Sequence, residues 1–134
     1  ELILENYLYA KGFYETNFEE SITFFENQIR QTEMNYETCK MLAEMYFANQ
    51  NYSKCAKLCK RVLNQIVYRE ERFIYICLDI MYMSSLKKTN KLTLRQRYSC
   101  YTRIARYKQF IKRHVGCRSP YYRKIEECKL VLKG

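Results

Sequence analysis

His114 and Cys117 lie three residues apart, with Cys100 and Cys128 on either side. Thiolate and imidazole at short spacing are the ligand types of a tetrahedral zinc site. The chain has no Cys-x-x-Cys pair, and Cys55 and Cys59 stand one helical turn apart with no second pair beside them. Core cysteines and a surface histidine account for the pattern better, so neither a metal nor a cofactor is expected. A cysteine nucleophile would have to use the same single histidine as its base. The carboxylates are helix-start residues (Glu19, Glu20, Glu70, Glu71) or scattered singles, which solvated helix faces explain without acid–base chemistry. Asp79 alone sits inside an apolar run, IYICLDIMYM, and is read as an exposed helix position. No glycine-rich phosphate loop occurs. The expectation is a protein that is not an enzyme.

A basic stripe carries more information. Arg95, Ser99, Thr102, Arg106, Gln109 and Arg113 follow steps of three and four, with Arg103 and Lys112 beside them. Lys87, Lys88 and Lys91 precede this stretch, and Arg118, Arg123, Lys124 and Lys129 follow it. Three readings stay open for region 87–129. It is a solvated outer face, or a surface for an acidic or phosphorylated protein segment, or, ranked last, a track for nucleic acid.

The elements that position these residues are helices. With three glycines and one proline in 134 residues there is little punctuation for a sheet, and no period-two run appears. Apolar residues at helical steps predict helices over 2–14, 18–31, two within 36–63, one from Glu70, one over 93–115 and one over 119–133, seven in all. Asn17 suits an N-cap, Gly116 a C-cap, and Ser119-Pro120 an N-cap followed by a first-turn proline. Residues 36–63 form the clearest unit, a helical hairpin turning at Asn49-Gln50-Asn51. Small residues at Ala43 and Cys55 let its two helices approach closely.

An echo of this unit lies 34 residues upstream, where NFEES (17–21) answers NYSKC (51–55). Leu8, Tyr9, Phe18, Ser21 and Phe25 take the offsets of Leu42, Ala43, Tyr52, Cys55 and Cys59. A period of this length announces stacked helical hairpins. On these residues the chain resembles the tetratricopeptide repeat family. Residues 36–69 fit the large-small-x-x-large pattern well and 2–35 fit less closely. Residues 70–115 are an irregular third unit built on Ile76, Cys77 and Ile80, and 119–133 is a terminal helix of the same single domain. Neither the helix-ending proline nor the first-helix tryptophan of the family is present.

The resemblance implies an all-α superhelix of antiparallel hairpins whose first helices line a concave groove. Carried over position by position, that groove takes Tyr7, Phe13 and Tyr14 from the first unit. The second supplies Lys40, Met41, Glu44 and Phe47, and the third supplies Tyr75, Leu78, Met81 and Tyr82. Glu37 and Met41 stand where a carboxylate clamp needs bases, so a charged tail is a poor ligand and an apolar or helical segment a better one. The helical-hairpin subunits of the anaphase-promoting complex, a cell-cycle assembly with homodimerising N-terminal repeats, are similar in this respect. A protein partner or a homodimer is therefore implied, in the manner of a scaffold within a multi-subunit complex.

Charge and cysteine usage bound the setting. Residues 1–35 hold seven acids against two bases, 36–85 five against seven, and 86–134 two against fifteen. Such asymmetry hints at an acidic partner for the basic end. Seven cysteines, an odd number placed mostly on apolar helix faces, behave as small hydrophobes. A reducing compartment, cytoplasmic or nuclear, with no membrane segment is the expectation.

Overall fold

A computed structural model describes residues 18–31 and 35–134. The expected helix over 2–14 and the Asn17 cap lie outside them. Six helices are described: α1 (Phe18–Gln31), α2 (Tyr36–Ala48), α3 (Tyr52–Leu63), α4 (Arg72–Lys88), α5 (Leu94–His114) and α6 (Pro120–Lys133). Among the described residues there is no strand.

Side chains and left-handed residues set the ends of these helices. Asn35 caps α2 by accepting from the Thr38 amide at 2.8 Å. Thr93 and Gln96 form a reciprocal capping box at the start of α5, and Ser119 caps α6 ahead of Pro120. After α2 the chain turns through Gln50 at φ 60°, and the Asn51 amide reaches back to the Tyr46 carbonyl at 2.8 Å. After α4, Asn90 at φ 57° closes the same motif, with the Lys91 amide on the Leu86 carbonyl. The helix thus runs on through the basic pair Lys87 and Lys88 before the turn.

The central element is α4, which packs against α2, α3, α5 and α6. Its run is apolar nearly all the way round, the pattern of a helix with neighbours on every side. On one flank Leu78 joins Phe25, Leu42, Met45 and Val62 in a core shared with α1, α2 and α3. On the other, Ile76, Ile80 and Met83 join Ile104, Tyr107, Ile111, Ile125 and Leu132 of α5 and α6. Small side chains let α2 and α3 approach, where the Cys55 thiol of α3 donates to the Ala43 carbonyl of α2 at 3.4 Å. All seven cysteines are free thiols, six of them buried and Cys117 exposed.

Candidate functional site

A cleft of about 380 Å³ opens where the C-terminal halves of α2 and α4 meet α6 and the start of α3. Phe47, Tyr52, Ile80, Met81 and Val131 give it an apolar lining, and Glu44, Lys88, Lys124 and Glu127 supply its charges. Phe47 and Tyr52 stack edge to face at 5.2 Å, and the Lys88 ammonium sits over the Tyr52 ring at 5.6 Å. Burial pushes the Cys128 thiol up to about 11 and raises that of Cys77, so both offer neutral, soft sulfur to the groove. Lys40 is spent within α2, its ammonium 2.9 Å from Glu44 and 3.4 Å from Glu37. Burial opposes its charge, but the two carboxylates outweigh burial and hold the ammonium above its ordinary range.

The residues implied by the repeat pattern divide three ways. Glu44, Phe47 and Met81 line the cleft, whereas Tyr7, Phe13 and Tyr14 lie outside the described residues. Met41, Tyr75, Leu78 and Tyr82 do not line it. Leu78 is fully buried in the core of α1–α4, and Met41 and Tyr82 pack against that same core. Tyr75 stands at the edge of the other core, with its ring 4.9 Å from Tyr68. The reason lies in the orientation of α4. Its groove face is Cys77, Ile80, Met81, Ser84 and Lys88, about 100° round the helix from the stripe that a strict 34-residue period implies. An eight-residue link, 64–71, separates α3 from α4 and releases that register. The contribution of α6, through Lys124, Glu127, Cys128 and Val131, was missed; its signal was the three- and four-residue spacing of those positions.

Asp79 also departs from expectation. It is buried, and its Oδ2 accepts from the Tyr107 hydroxyl at 2.5 Å and from Arg103 Nε at 3.0 Å. Arg103 donates further to the Ser99 hydroxyl at 3.0 Å. This cluster ties α5 to α4 and removes Arg103 from the free charge of the basic face. Burial first, and then the Asp79 carboxylate, raise the Tyr107 phenol well above 10.0, and burial with Glu26 does the same for Tyr46. The folded state thus favours the neutral phenol. Its contribution is complete below the unfolded value near 10 and fades as pH rises beyond it. Thermal melts between about pH 8 and 11 are expected to show stability falling above pH 10. In Tyr107→Phe that fall becomes shallower; an unchanged slope would exclude Tyr107 as its source.

The other basic-face residues diverge. Arg106 and Arg113 share one side of α5 and border a second, smaller cleft. Arg95 lies on the same side but about 16 Å along the axis, and Lys112 is turned about 120° away. No group of three or more His, Cys, Asp or Glu converges as a metal site among the described residues. Cys100 and Cys128 are core residues, and His114 lies against Phe110 with ring centroids 4.3 Å apart. No described helix is long and apolar enough to cross a membrane. Compared with protein-family models, curated proteins and solved structures, the chain matches none.

Proposed function

We propose that this chain is a non-catalytic interaction module, a tetratricopeptide-like superhelix that holds an apolar helical segment of a protein partner in the α2/α4/α6 groove. The groove itself carries the reading: an apolar lining opened between three helices, with charges of both signs around it. The order of packing supports the superhelix, because α2, α4 and α6 neighbour one another in succession while α3 packs against both α2 and α4. The lining suits the apolar face of an amphipathic helix, with leucine-like residues at steps of three and four. Glu127 offers an end for a basic flank of that helix, and Lys88 and Lys124 for acidic ones, while Glu44 is already paired with Lys40. The proposal extends to a scaffold role within a cytoplasmic or nuclear multi-subunit assembly, homodimeric where the segment comes from a second copy.

The test is selection of helical peptides from a displayed library on the intact chain. Enriched sequences are expected to carry apolar residues at helical spacing. Their affinity is expected to fall about tenfold or more on Met81→Glu, which places a charge in the lining. Enrichment of acidic peptides indifferent to Met81→Glu would move the interaction to the basic face. Light scattering against concentration separates the two sources of the segment, since a strictly monomeric chain leaves only a different protein.

A further inference from the structure

The second cleft lies elsewhere on the molecule, between the start of α4 and the C-terminal half of α5, with a volume of about 270 Å³. Three arginines border it. Arg106 and Arg113 come from α5, and Arg72 comes from the first residue of α4. No described carboxylate lies within ion-pairing distance of any of the three, although Asp79, Glu44 and Glu126 each hold a base elsewhere. Arg72 is fixed in place: its guanidinium lies 5.7 Å from the Tyr68 ring centre and 5.2 Å from that of Phe110. Its Nε is buried without a hydrogen-bond acceptor. The His114 ring is held as well, with Nδ1 3.0 Å from the Phe110 carbonyl. Gln109 adds a neutral amide at the border.

We propose that this cleft binds a phosphorylated side chain of a protein partner, at a site separate from the helical-segment groove. Planar guanidinium groups suit phosphate oxygens through paired N–H donors. Three of them match the nearly two negative charges of a phosphate monoester better than the single charge of a phosphodiester. Two observations favour a peptide over a nucleic-acid strand. The aromatic faces that would stack bases are engaged, since Tyr68 and Phe110 hold Arg72 and Phe110 also holds His114. The arginines border one cleft instead of forming a track, with Arg95 far along α5 and Arg103 neutralised by Asp79.

The test uses fluorescence anisotropy of the intact chain at about 50 mM salt, where screening is modest. The probe is a labelled glycine–alanine heptapeptide carrying one phosphoserine. It is expected to bind at least about tenfold more tightly than its unphosphorylated twin. Arg106→Gln and Arg113→Gln, both at exposed positions, are each expected to weaken it about tenfold with the helical circular dichroism unchanged. Arg72→Lys keeps the charge but loses the planar stack, and is expected to weaken binding as well. Met81→Glu leaves this binding unaltered, so failure here and failure of the groove are separable. Equal binding of the unphosphorylated peptide, or indifference to both glutamine variants, overturns the proposal. So does a mixed-sequence single-stranded oligonucleotide that binds more tightly than the phosphopeptide and loses affinity in the same variants.

Discussion

Asp79→Ala is expected to cost about 2–4 kcal/mol of folding stability and to lower Tm by roughly 10 °C. The substitution leaves the Tyr107 hydroxyl, fully enclosed between α4 and α5, with no acceptor, and takes from Arg103 its carboxylate partner. Most of the loss is assigned to the tyrosine. The Arg103 side chain is 30% exposed, against 5% for Asp79, so solvent screens its half of the pair. Tyr107→Phe is accordingly expected to cost about 1–2 kcal/mol. The double variant should lose less than the sum of the singles, because each removes the same bond. Chemical denaturation with unchanged slope is the measurement. A loss below about 1 kcal/mol for Asp79→Ala would mean that the cluster does not hold α5 to α4.

Leu78→Ala is expected to cost about 2–5 kcal/mol, the range for emptying a close-packed leucine site. Leu78 is fully buried among residues of α1, α2 and α3, where a cavity has little room to collapse. Met81, three residues on, faces the groove. Met81 is only partly buried beside that core, so Met81→Ala is expected to cost clearly less stability than Leu78→Ala while weakening a groove ligand. The comparison separates two orientations of α4. If Leu78 lined the groove, its truncation would affect binding and spare the fold, the reverse of the expectation.

That orientation marks where the sequence was legible and where it was not. On α2, α3 and α5 the residues at apolar steps turn inward: Leu42, Ala43 and Tyr46 on α2, Cys55, Cys59 and Val62 on α3, and Cys100, Ile104, Tyr107 and Ile111 on α5 are all buried. The close contact of Ala43 with Cys55 was readable because both are small and their helices are joined by a short turn. For α4 the same method had nothing to grip. Its apolar residues lie on all sides, so no face is preferred, and only a 34-residue period transferred from the preceding hairpin chose one. The longer link 64–71 breaks that transfer. In the same all-apolar run Asp79 had no solvated face to occupy, which was a sign of burial, but the sequence could not show that Tyr107 and Arg103, 28 and 24 residues away, would meet it.

Side-chain spacing and end chemistry alone determined that the described chain is helical, where most helices begin and end, that most cysteines turn inward, and that positive charge gathers toward the C-terminal half. These properties belong to single helices or to composition, so local periodicity and capping suffice to specify them. Tertiary structure decided how far α4 is rotated, that α6 completes the groove, and which charges remain free. It also brought Arg72, which stands outside the basic stretch, beside Arg106 and Arg113. Those outcomes depend on the relative rotation of helices about their axes. That rotation is set by the packing of two cores around α4, and no spacing within one helix encodes it.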